Sequence, residues 1–230
     1  MKPLAIRLAT ALSLLVAGAA QAALVPTAPI DLHGTGVGAV NTVLTLQGHR
    51  RDGTENGSVG LTAAGELVIG GDAKKGASQT QLLSLDSLGL TSAENLRIVF
   101  NANEPGGSGI TLSDLVLTIY SPTGGVLFNT TLAAQQVFST TTQGIGQPDA
   151  VFALDATSIL AAQSAAFSGN FGANLIGLSA GAHNAQGGFE TFFIANVATP
   201  PVPEPQTYLL LLAGLGVIGG LVWRRSTARQ

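Results

Sequence analysis

Apolar and polar positions alternate in short bursts through the middle of the chain. Leu96, Ile98 and Phe100 fall on one side with Arg97 on the other, and Leu115, Leu117 and Ile119 repeat the pattern with Thr118 and Tyr120 opposite. A period of two marks a half-buried strand, because successive side chains leave opposite faces of a pleated backbone. Similar runs at Val43–Gln47, Glu66–Ile69, Gln81–Asp86, Val126–Thr130, Val151–Leu154, Leu175–Ser179 and Phe189–Ala195 bring the expected number to about nine strands. Between them stand Asp52-Gly53, Asn56-Gly57, Gly70-Gly71, Gly106-Gly107, Gly124-Gly125 and Gly187-Gly188, each able to supply the positive φ of a tight turn. Many short strands with glycine-rich turns predict an all-β fold, a single antiparallel β-sandwich or jelly-roll-like domain. One short helix interrupts the strands: Asp155 is its N-cap, Ile159, Leu160, Ala166 and Phe167 share its inner face, and Gly169 ends it. No repeat of solenoid or propeller length is visible.

The two ends break this pattern. Lys2 and Arg7 precede an apolar run from Leu8 to Ala20, and Ala20-Gln21-Ala22 has the small-x-small form that signal peptidase cleaves. Residues 1–22 therefore read as a secretory signal peptide cut after Ala22. At the other end, Tyr208–Trp223 carries no charge over sixteen residues. As a helix it would cover roughly 24 Å, a short but workable transmembrane span. Tyr208 and Trp223 stand where aromatic rings favour the headgroups, and Arg224, Arg225 and Arg229 follow, which holds the tail in the cytoplasm by the positive-inside rule. Gly216 and Gly220 have GxxxG spacing, but glycine is frequent throughout this segment and the spacing carries no dimer assignment.

Pro200-Pro201-Val202-Pro203-Glu204-Pro205 precedes that helix, and four prolines in six residues favour an extended segment clear of the folded domain. The ordered combination of Val202-Pro203-Glu204-Pro205, a short apolar run and Arg224-Arg225 resembles the PEP-CTERM sorting signal of Gram-negative bacteria, a tail also catalogued as an ice-binding-protein C-terminal domain. The resemblance covers about 25 residues. It implies processing near the Pro-Glu-Pro by exosortase, an integral membrane cysteine transpeptidase, and an association with exopolysaccharide and biofilm matrix. The expected organisation is a signal peptide (1–22), an exported β-sandwich domain (23–199), a Pro-rich spacer with the PEP motif (200–207), a transmembrane helix (208–223) and a basic cytoplasmic tail (224–230).

Composition narrows the chemistry of the middle portion. Between residues 23 and 200 five basic residues face twelve acidic ones, leaving a charge of about −7, against −3 for the whole chain. An acidic domain without a basic stripe excludes nucleic acid as a partner. With no cysteine, disulfides, thiolate nucleophiles and cysteine metal sites are excluded too. His33, His49 and His183 are scattered without metal-ligand spacing, so no metal ligands are assigned. The best calcium candidate is the loop Arg50–Gly57, where Asp52, Glu55 and Asn56 offer oxygens, but a D-x-D-x-D-G pattern is lacking and a polar hairpin turn explains it as well. Asp114, Asp149, Asp155 and Glu190 could supply the carboxylate pair of a glycosidase, although each has a duller reading as turn, cap or exposed strand residue. Glu190 in particular is expected to solvate one face of its strand while Phe189 and Phe193 pack on the other. The only tryptophan lies in the tail, so a sugar platform in the domain would fall to phenylalanine or to Tyr120.

The expectation is an exported, non-enzymatic cell-surface or matrix protein with no cofactor and no catalytic residues. Its partners are signal peptidase, an exosortase-like transpeptidase, the lipid bilayer and exopolysaccharide. A glycan- or calcium-binding adhesion module on a single-pass anchor, and a secreted hydrolase, stay open as alternatives.

Overall fold

The computed structural model describes residues 23–28, 41–48, 53–76, 78–104, 108–139, 141, 148–186 and 188–197. The chain divides into two compact units, Met1–Ala195 and Asn196–Gln230, and nearly everything described belongs to the first. The expected signal peptide, PEP motif, transmembrane helix and basic tail lie outside the described residues.

The first unit is built on twelve strands: β1 (Ala23–Thr27), β2 (Thr42–Leu46), β3 (Glu55–Leu61), β4 (Leu67–Gly71), β5 (Leu83–Ser84), β6 (Leu96–Ala102), β7 (Ile110–Tyr120), β8 (Val126–Leu132), β9 (Gln136–Phe138), β10 (Ala150–Leu154), β11 (Leu175–His183) and β12 (Glu190–Asn196). The expected β-rich fold is present, but the two sheets of a sandwich are one continuous sheet. Its order is β2-β12-β6-β10-β1-β8-β7-β11-β3-β4, with β5 added to β11 and β9 to β7. The sheet curls until its ends meet: Gln47 N–H donates to the Asp72 carbonyl at 3.0 Å and Lys74 N–H to the Thr45 carbonyl at 2.9 Å. The segment after β4 thus covers the open edge of β2, where Thr45 also donates through Oγ1 to the Gln79 carbonyl at 2.8 Å. A covered edge explains why all five residues of β2 are buried although it ends the strand order.

Bulges account for strands whose inward phase changes part-way. Along β7 the buried positions are Ile110 and Leu112, then Leu115, Leu117 and Ile119, a pattern that skips one residue. The register against β11 shifts at that place, between Gly181 and Ala182, so the extra residue is absorbed as a bulge and both halves face the core. Pro26 sits in β1 opposite Phe152 of β10; the parallel pairing with β8 ends at Leu24, so no ladder on that side needs its missing N–H. Phe100 lies at the centre of the core, its ring 5.5 Å from that of Phe138 and 5.0 Å from that of Phe192.

The expected helix is α1 (Ala156–Ala166), and Asp155 caps it by accepting the Ser158 N–H at 2.7 Å. Its inner face differs from the expected one. Leu160 is 73% exposed, and the buried residues are Ser158, Ala162 and Ala166. Their spacing of four lays small side chains along one stripe, which lets the helix approach β8 closely. Asp155→Ala should cost about 1 kcal/mol through loss of the cap, read as a shift in urea midpoint with unchanged slope.

Candidate functional site: a buried trio of carboxyl groups

Three glutamates from distant parts of the chain meet inside this sheet. Glu55 opens β3, opposite Ala182 of β11; Glu190 opens β12, opposite Leu46 of β2; Glu104 lies two residues beyond β6. Their exposures are 3%, 0% and 0%, values that acidic side chains almost never reach unless paired. The Glu190 carboxyl is in hydrogen-bonding contact with both Glu55 and Glu104. Gln186 N–H donates to Glu104 Oε2 at 2.7 Å. Beyond that mutual contact, Glu55 Oε2, Glu104 Oε1 and both oxygens of Glu190 accept no hydrogen bond from any donor among the described residues.

The surroundings supply close backbone and little positive charge. A Cβ on Gly48 would stand 2.8 Å from Glu55 Cγ, so the absence of a side chain there gives Glu55 its place. The Lys74 ammonium is engaged elsewhere, donating to Gln47 Oε1 at 2.6 Å and lying 4.6 Å over the Phe189 ring. Among the described residues no basic side chain is bonded to the trio. Burial first, and then the neighbouring Glu55 and Glu104 groups, push the Glu190 carboxyl from its ordinary 4.5 up to about 11. At neutral pH Glu190 is therefore a neutral acid.

This placement corrects several expectations. Glu190 faces inward with Phe192, while Phe189 is the partly exposed residue; a register shift between Phe192 and Phe193 then sends Phe193 to a second small cluster with Val99 and Val151. Asn56-Gly57 is no turn but part of β3. In the candidate calcium loop, Glu55 turns inward, Asn56 donates its backbone N–H to Asp72 Oδ2 at 3.0 Å, and Asp52 lies outside the described residues. Glu104 escaped notice because it belongs to no motif and precedes a Pro-Gly-Gly that reads simply as a turn.

The remaining candidate carboxylates are apart from the trio and structurally engaged. Asp114 accepts from Thr131 Oγ1 at 3.3 Å, Asp149 accepts the Ala102 N–H at 2.7 Å, and Asp155 caps α1. The trio itself does not have the glycosidase arrangement, which needs two carboxyls roughly 5 to 10 Å apart across a cleft. His183 Nδ1 lies 3.4 Å from Thr54 Oγ1, and His33 and His49 fall outside the described residues. As the side chains stand, no group of three or more histidine, aspartate or glutamate residues among the described residues is set to hold a metal ion. Tyr120 lines a shallow groove of about 250 Å³ with Ser58, Thr118 and Ser179.

Of the residues assigned from the sequence to sorting, Ala20, Ala22, Val202, Pro203, Glu204, Pro205, Arg224 and Arg225 all lie outside the described residues. For the last six the decisive observation is a family comparison: residues 201–226 match the PEP-CTERM protein-sorting motif. The chain carries a PEP-CTERM sorting signal. The PEP-CTERM match takes in Val202–Pro205, the apolar run and Arg224-Arg225, the three parts that the sequence presents in order. Such a signal implies an exported protein processed by exosortase. Searches of curated proteins and of solved structures each found no match to the chain. Among the described residues no helix is long and apolar enough to cross a membrane.

Proposed function

We propose that this is a non-enzymatic protein of the cell surface or extracellular matrix. Signal peptidase cuts it after Ala22, the 208–223 helix holds it briefly in the inner membrane with Arg224 and Arg225 inside, and exosortase releases it near Val202–Pro205 to associate with exopolysaccharide. The observation that carries this reading is the PEP-CTERM match at 201–226. Two features support its details. Strand β1 runs over Ala23–Thr27 with Leu24 wholly buried, so a cut after Ala22 would leave that strand whole. Asp114, Asp149 and Asp155, the carboxylates that could have served a hydrolase, each accept a hydrogen bond from the protein's own groups, which favours the non-enzymatic reading over hydrolysis.

Mass spectrometry of the mature protein tests the processing step. The expected C-terminus lies close to Pro203–Pro205 in a strain with an active exosortase, and the intact tail through Gln230 persists when that enzyme is deleted. An intact tail in both strains would overturn processing and leave a permanent single-pass anchor.

A further inference from the structure

We propose that the shallow groove beside Tyr120 binds a stretch of neutral polysaccharide, with the tyrosine ring as the platform for one sugar. This site gives the proposed association with exopolysaccharide a place on the molecule, and it rests on that reading for the source of the sugar. Three observations carry it. The first is how the ring is held. Leu117, Leu178 and Val59 of β7, β11 and β3 are buried, so the residues that follow or precede them, Thr118, Ser179 and Ser58, lie on the opposite, outer face of the sheet. On that face Gly177 of β11 and Gly60 of β3 stand side by side. A Cβ on Gly177 would lie 2.9 Å from Tyr120 Cε2, and one on Gly60 would lie 2.5 Å from the Tyr120 hydroxyl oxygen. The ring therefore lies across two residues that have no side chain, and it stays half-buried while lining the groove. The face of an aromatic ring is its negative side, which suits the weakly positive C–H bonds on the apolar side of a pyranose.

The second observation is a set of unspent hydrogen-bonding groups. The hydroxyls of Tyr120, Ser58 and Ser179 border the groove, and none is bonded to another group among the described residues. Ser58 and Ser179 are directly opposite each other across β3 and β11. Thr118 Oγ1 accepts from Asn129 Nδ2 at 2.8 Å and keeps its own proton to donate. A hydroxyl both donates and accepts, so this lining matches a ligand whose polar groups are themselves hydroxyls. The third observation is charge. No acidic or basic side chain lines the groove, and the exported portion carries about −7, which favours a neutral glycan over one built of uronic acids. At about 250 Å³ the groove falls just below the ~300 Å³ at which pockets for drug-sized ligands begin, so it takes about one or two rings of a longer chain.

The test uses the full-length chain with isotope-labelled tyrosine rings, in a detergent without a sugar headgroup. The chain has two tyrosines, and Tyr208 in the tail is the internal reference. Among cellohexaose, laminarihexaose and mannohexaose, at least one should bind with a Kd of about 1 mM or tighter, shifting the Tyr120 NMR signals and leaving those of Tyr208 in place. Y120F identifies the Tyr120 signals by removing them. Oligoguluronate, the charged comparison, should shift neither tyrosine. By titration calorimetry, Y120A and the double variant S58A/S179A should each weaken binding about tenfold. The serine pair leaves the ring and the core in place, so it decides the matter should Y120A fail to fold. Silence of Tyr120 towards all three neutral glycans would overturn the proposal. So would an equal response to oligoguluronate, or binding that survives unchanged in the variants, which would put the sugar elsewhere. A cut tail with a silent Tyr120 would sink the groove alone, and an uncut tail with a responsive Tyr120 would sink processing alone.

Discussion

In cation-free buffer the β-rich unit should lose stability steadily as the pH rises from about 5 to about 9, and E190Q should abolish most of that loss. The folded state holds a proton on Glu190 up to about pH 11, whereas the unfolded chain releases it near the ordinary 4.5. Between those values the folded state binds the extra proton, so the stability it contributes is full below about 4.5 and falls as the pH rises. One proton sets a limiting slope of about 1.4 kcal/mol per pH unit. Over three pH units that approaches the whole stability of a marginal domain, about 5 kcal/mol. Glutamine keeps the size of the side chain and puts in its place an uncharged amide that does not titrate. E190Q should therefore match the wild type near pH 5 and exceed it by about 4 kcal/mol near pH 8, measured by urea unfolding of the full chain in EDTA. Equal slopes in the two proteins would show that the folded chain does not hold this proton, and the account of the trio would fail with it.

Why the strands were legible in the sequence and the trio was not comes down to what alternation encodes. Leu96-Arg97-Ile98 and Leu115–Ile119 announce β6 and β7 because core-facing and solvent-facing positions there differ in polarity. At Glu190 the same logic misleads: a charged residue in the pattern reads as solvent-facing, and the one strand position where a carboxyl points inward looks like its opposite. Taking Phe192 and Ile194 as the inward phase would have put Glu190 inside, but the adjacent Phe193 and the bulge beside it blur that phase. β3 was hidden for a related reason. Asn-Gly is a strong turn signal, yet here Asn56-Gly57 runs straight through a strand, opposite Gly181 and Ala180 of β11, and its glycine makes room for Ala73 and Leu46. The single curled sheet was beyond reach because closure depends on long-range pairing: residues 72–74 bond to β2 although β2 and β4 stand at opposite ends of the strand order. The sorting signal, by contrast, is linear. Its prolines, apolar run and arginines act in sequence order, so a local reading recovers it.

Phe100→Ala should be the most damaging single truncation in the core, costing about 3 to 5 kcal/mol. The ring is wholly buried and stands between Phe138 of β9 and Phe192 of β12, and alanine would leave a void beside those two rings that close packing lets the core fill only in part. The site matters for the trio because β6 leads into Glu104 and β12 begins at Glu190, so the Phe100–Phe192 contact braces the two strands that carry them. Urea unfolding across pH separates packing from proton binding. A loss of packing alone lowers the whole stability curve and keeps its pH slope, since the carboxyl groups stay in contact. That parallel drop is the expected result, with F100L recovering part of it by refilling the void. If F100A flattened the slope as E190Q should, the aromatic cluster would be what holds the carboxyl groups together.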